Sequence, residues 1–145
     1  MYLVDTNIIS AVSPNRPVPA ALVEWMDAQS GILYLSVVTI AEVEDGIAKL
    51  RREKATRKSK DLAQWLNAVL HLYGDRILPF DMPTARLAGQ LSDRARGLGH
   101  APGFADIIIA ATARQHALMI LSRNVRHFEP LGVPVLDPFT KLPLS

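Results

Sequence analysis

An α/β fold, with a mainly parallel sheet of about five short strands flanked by helices, follows from three features of this sequence. Short runs of strand formers alternate with helix-period patterns along the whole chain. The first run, Tyr2-Leu3-Val4, is stopped by three polar side chains in succession, Asp5-Thr6-Asn7. The 145 residues are 49% hydrophobic, which is the length and apolar content of one domain, residues 1–145, able to bury a core. Strands joined through helices pair in parallel, because each crossover returns the chain to the same end of the sheet.

In chain order, a short helix over Asn7–Val12 follows the first strand and is broken by Ser13-Pro14-Asn15-Arg16-Pro17. Pro19 suits the first turn of a helix running to about Ala28. Ile32–Ser36 reads as a strand and Val37–Leu50 as a helix on which Val38, Ala41 and Asp45 share a face; the basic segment after it continues that helix or turns into the next. Asp61–Tyr73 is helical, with Leu62, Trp65, Leu66, Val69, Leu70 and Tyr73 at spacings of three and four. Ile77–Phe80 is a short strand and Met82–Leu98 a helix. Phe104–Ala117 is the most apolar helix, with a strand, Leu118–Leu121, behind it. Asn124–Phe128 makes one helical turn. Val133–Leu136 is an edge strand, since Pro134 has no N–H for a ladder. Residues 138–145 form an irregular tail.

No apolar run reaches the roughly 20 residues of a membrane span. The first residues lack the basic, apolar and small-residue progression of an export signal, so the expected location is cytoplasmic. The absence of cysteine excludes disulfides, thiolate zinc sites and a cysteine nucleophile. Charge is uneven. Seven basic residues and one acid lie within Lys49–Lys60, leaving nine basic against thirteen acidic residues elsewhere. A mildly acidic body thus carries one basic segment, and Arg51, Arg52, Lys54, Arg57 and Lys58 are candidate contacts to a phosphate backbone.

Three carboxylates stand out. Asp5 ends the first strand, where open α/β sheets collect ligands, although an Asp there also serves as a helix N-cap. Asp106 opens a helix with almost no polar face, so its charge needs a pairing partner, a metal or the helix dipole. Glu42 lies about two turns beyond the end of the second strand, and Glu44 falls on the solvated side. A parallel sheet brings the three to one edge. Together they repel, burial favours their protonated forms, and a divalent cation relieves both. An oxygen-only ligand set favours Mg²⁺ or Mn²⁺ over zinc.

Val4-Asp5-Thr6-Asn7, Ser36 through Glu42 with Gly46, Ala105-Asp106 running into Ile109-Ala110-Ala111-Thr112-Ala113, and Ser122-Arg123-Asn124 resemble, in this order, the PIN domain. The resemblance is to the VapC/FitB-like toxins of bacterial toxin–antitoxin pairs. It implies a Mg²⁺- or Mn²⁺-dependent endoribonuclease, usually a homodimer, held inactive by a cognate antitoxin through which the pair reaches promoter DNA. It implies catalytic and metal-binding roles for Asp5, Glu42 and Asp106, with Thr6, Asn7, Ser122 and Asn124 in support. One position departs from the family pattern. Relatives often carry a fourth acid where this chain has His127, in Arg123-Asn124-Val125-Arg126-His127-Phe128. His127 is then a surface substitution, a phosphate contact or a nitrogen ligand.

Two other readings remain. A catalytically weak or inactive PIN domain would act as an antitoxin-binding partner in a promoter-binding complex. A haloacid-dehalogenase-like phosphohydrolase would use Asp5 as nucleophile, but that class needs a second Asp two residues on, where this chain has Asn7. Between the Val37–Leu50 and Asp61–Tyr73 helices the apolar residues form a groove for an antitoxin helix, core or a dimer surface, which composition does not distinguish.

Overall fold

A computed structural model describes residues 1–144. Strand β1 (Tyr2–Val4) lies at the centre of a five-stranded sheet, flanked by β2 (Leu33–Ser36) and β4 (Met119–Leu121), with β3 (Ile77–Leu78) and β5 (Val135–Leu136) at the edges. Every pairing is parallel. Tyr2 and Leu3 stand opposite Leu33 and Tyr34 on one side, and Tyr2 to Val4 stand opposite Met119 to Leu121 on the other. The chain builds outward through β2 and β3, then crosses back to β4. The point where strand order reverses therefore lies between β1 and β4.

Alternation along the strands makes two cores, because successive side chains point to opposite faces. Leu3 and Ile120 join the core built with α5 (Met82–Gly97) and α6 (Phe104–Gln115). Val4, Leu33, Leu35 and Leu121 join the core built with α1 (Thr6–Ala11), α2 (Ala20–Ala28) and α4 (Thr56–Tyr73). The apolar helix α6 buries every residue from Ile107 to Ala113 against α5 and the sheet, as its composition predicts. A short α7 (Val125–Phe128) follows β4. The tail is irregular yet docked. Asp137 accepts the Phe139 N–H through its side chain at 2.8 Å, and Phe139 and Leu142 pack on the second core. Ser145 lies outside the described residues.

Three expectations need correction, and one open choice is settled. Helix α4 begins at Thr56, five residues before Asp61, so Arg57, Lys58 and Lys60 belong to its first turns. Helix α3 (Val37–Arg52) buries Thr39, Val43 and Ile47, not the face of Val38, Ala41 and Asp45; Ala41 and Asp45 are exposed. Of the alternatives for the α3–α4 seam the structure shows core, with Val43, Ile47, Leu62, Trp65 and Leu66 packed together. Strands β3 and β5 have two residues each, because Pro79 and Pro134 bring no N–H to extend them. No helix among the described residues is long and apolar enough to cross a membrane.

Candidate active site

Strand β1 ends where its last rung forms, the Asp5 N–H donating to Leu121 O at 2.9 Å. The backbone of Asp5 remains extended, and its side chain accepts the Thr6 N–H at 2.8 Å, capping α1. Asp5 is thus a cap, and it also occupies the carboxyl edge at the strand-order reversal, where α/β sheets place ligands. It is 4% exposed. Its second oxygen accepts the Ser122 hydroxyl at 2.7 Å.

Ser122 is fully buried at the end of β4, and its hydroxyl oxygen accepts from the Asn124 N–H at 2.9 Å and the Asn7 amide at 3.2 Å. The other end of the Asn7 amide accepts the Arg123 N–H at 3.2 Å. These bonds tie α1 to the loop after β4 and fix the orientation of Asp5. The arrangement leaves Asn7 occupied with Ser122 and Arg123, unlike the second acid a phospho-aspartate enzyme requires.

Glu42 reaches the same edge from α3. Its Oε1 accepts the Thr6 hydroxyl at 2.7 Å, and Thr6 Oγ1 lies 2.8 Å from the hydroxyl of buried Thr39. Since Thr6 has one hydroxyl proton, given to Glu42, Thr39 is the donor in the second contact. Thr39 was not foreseen from sequence. Its sign in the sequence is its place one turn before Glu42, on the face of α3 that the structure buries.

Asp106 stands in the first turn of α6, where the helix dipole favours an anion. Its Oδ2 lies 3.1 Å from His127 Nδ1, the imidazole side chain being 56% and the carboxylate side chain 23% exposed. His127 is surface-facing, and it is also the neighbour of a site carboxylate. The basic residues stand apart from the acids. Arg51 and Arg52 end α3, Lys54 occupies the turn, and Arg57 and Lys58 open α4, all exposed. About ten residues separate Glu42 from Arg52, roughly 15 Å of helix.

Among the described residues the side-chain contacts between basic and acidic groups are Lys49–Glu53 and His127–Asp106, so neither Asp5 nor Glu42 faces a cation. Burial raises the Asp5 carboxyl to about 6; Ser122 and the Thr6 N–H pull it part of the way back, and the charges of Asp106 and Glu42 add to the rise. No three His, Asp or Glu side chains among the described residues are grouped closely enough to form a metal-binding cluster as they stand. A closed cage is not required of a hard cation such as Mg²⁺, which keeps several waters and takes one or two carboxylates. The donor set fits such an ion in chemistry and in charge.

The family model described as PIN domain matches residues 2–131. The chain belongs to the PIN-domain family. It is 40% identical to Toxin FitB of Neisseria gonorrhoeae over 144 residues, covering 96% of this chain and 99% of the relative. It is 36% identical to VapC ribonuclease Y4jK of Sinorhizobium fredii over 140 residues, covering 96% and 98%. Among solved structures, FitAcB from Neisseria gonorrhoeae superposes with a TM-score of 0.82 at 39% identity, covering 95% of this chain and 98% of that one. FitAB bound to an IR36 DNA fragment gives 0.77 at 34% identity, covering 100% and 98%. The ordered motifs and the PIN fold agree.

Proposed function

We propose that this PIN-domain chain is a divalent-metal-dependent endoribonuclease, the toxin of a toxin–antitoxin pair. The observation that carries the reading is buried Asp5, raised to about 6 beside Glu42 and Asp106 with no cation of the protein facing it. Asp5 and Glu42 without counter-charge, and Asp106 with only the His127 imidazole beside it, suit a cation and the phosphate it brings. The similarity to a named toxin and to a VapC ribonuclease supports the same activity. A relative solved as FitAB on DNA supports an antitoxin partner, through which the pair meets promoter DNA. Homodimer assembly and a cytoplasmic location complete the reading.

Asp5 and Asp106 would hold Mg²⁺ or Mn²⁺, with Glu42 directly or through water. When bound, the ion supplies an acidified water and offsets charge on the phosphate oxygens. The protein's own groups set the geometry. Ser122 and the Thr6 N–H fix the two oxygens of Asp5. Thr6 occupies Glu42 Oε1, leaving Oε2 to take a proton from water as a general base. His127 holds Asp106 from the solvent side. Attack by water predicts a 5′-phosphate product and makes no use of the RNA 2′-hydroxyl. The basic turn between α3 and α4 guides the RNA backbone.

The test is cleavage of labelled structured RNA by antitoxin-free protein in Mg²⁺ or Mn²⁺, with EDTA, Asp5→Asn and Asp106→Asn as arms. The expected loss is at least 100-fold in each arm, on the order of what removing a key charge-stabilising group costs. Folded wild-type protein that cleaves none of a broad RNA panel would instead support the partner-binding reading.

A further inference from the structure

We infer that the pocket beside Asp106, walled by His100, Pro102, Gly103, Arg126 and His127, is a subsite for an RNA phosphate flanking the one at the acid trio. The inference rests on the ribonuclease reading and deepens it by assigning a residue to substrate hold. The pocket has a volume of about 270 Å³ and opens next to the Asp106 carboxylate. That is small for a whole ligand and suits one phosphate with part of its sugar.

Arg126 decides its chemistry. It stands on α7, just beyond the carboxyl end of β4, exposed, and among the described residues its guanidinium has no hydrogen bond or ion pair. The acid in the same pocket is already engaged, since Asp106 Oδ2 faces His127 Nδ1. Arg126 is therefore a permanently charged fork left free beside the proposed reaction centre, the geometry that binds phosphate bidentately. Its neighbour Arg123 is differently placed, its guanidinium lying 4.2 Å from the centre of the Phe139 ring. A nucleic-acid strand with one phosphate at Asp5 carries further phosphates on either side. Arg126 lies where one of them passes Asp106.

The experiment measures binding of a short single-stranded RNA by fluorescence anisotropy in EDTA, with a gel confirming that the RNA stays intact. Wild type is compared with Arg126→Gln and with Arg86→Gln, an exposed arginine on α5. Arg126→Gln is expected to weaken binding about tenfold, the loss of one charged contact, and to flatten the salt slope by about 0.7. Arg86→Gln should change neither. A set of RNAs, each with one phosphate replaced by a neutral methylphosphonate, should contain one position that weakens wild type and leaves Arg126→Gln unaffected. A duplex DNA arm should show no dependence on Arg126. Equal RNA affinity and slope for wild type and Arg126→Gln would overturn the subsite while wild-type cleavage still upheld the nuclease. Wild type that neither binds nor cleaves RNA would overturn both.

Discussion

Asp5 shows how a residue can be costly to the fold and useful to the site. Its folded pKa of about 6 lies above the ordinary 3.8, so the folded protein holds a proton that the unfolded chain releases as pH rises through this interval. The stability associated with the neutral carboxyl is present below pH 3.8 and lost as pH rises towards 6. The full cost above pH 6 is about 3 kcal/mol, from 1.36 kcal/mol per unit. Asn carries no charge, but its single amide oxygen can keep only one of the two donors. With the Thr6 N–H kept, its NH2 faces the Ser122 oxygen, which already accepts from Asn7 and Asn124. Asp5→Asn should therefore abolish cleavage. The stability of the metal-free variant relative to wild type should rise by up to about 3 kcal/mol between pH 4 and pH 7, from a level lowered by the lost Ser122 bond. In urea unfolding, its relative stability should fall between pH 6 and pH 4. Divalent cation should raise the stability of wild type far more than that of the variant. A relative stability independent of pH would contradict the burial account. Asp5 and Asp106 were legible in the sequence because a strand stopping on an acid and an apolar helix opening on one are local patterns. Thr39 was not, because its contact with Thr6 depends on how α3 is rotated against α1, which is long-range packing.

Helices α3 and α4 were legible as helices but not at their junction. The run of positive charge concealed the start of α4, where Arg57, Lys58 and Lys60 oppose the dipole and Ala55 provides no side-chain cap. The turn itself is also at odds with local preference. Lys54 has φ 59°, and the Ala55 N–H donates to Leu50 O at 2.9 Å, the closure of a helix end that favours glycine. The end of α6 is built alike, with Ala117 at φ 53° and the Leu118 N–H donating to Ala113 O at 2.8 Å. Glycine at either position relieves left-handed strain and should stabilise by about 0.5–1 kcal/mol. Thermal melts of Ala117→Gly and Lys54→Gly should both shift upward, by about 2–4 °C. RNA affinity should fall for Lys54→Gly alone. If both variants bind RNA like wild type, Lys54 is not a backbone contact.

The order of strands was the least local feature, and the sense of their pairing was still readable. Unbroken β–α alternation required parallel pairing, while the central position of β1 is shown by the structure. What alternation could not fix was the crossover from β3 to β4, which sets Ser122 beside Asp5 and creates the site. The same topology separates the two kinds of charge. Carboxylates gather at the carboxyl edge of the sheet, while the basic turn lies roughly 15 Å along α3 from Glu42. Under the proposed function such a layout would divide labour between holding the strand and cutting it. Replacing Arg51, Arg52, Lys54, Arg57 and Lys58 together by Gln tests that division. For single-stranded RNA each lost phosphate contact lowers the salt slope by about 0.7, so the five together should remove up to about 3.5. KM should rise steeply at low salt and converge on wild type at high salt, where counterions already screen the contacts. At saturating RNA, kcat should be unchanged, because no replaced residue touches the acids. A fall in kcat at unchanged KM would place the basic turn in the chemistry itself, and an unchanged salt slope would remove it from the RNA path.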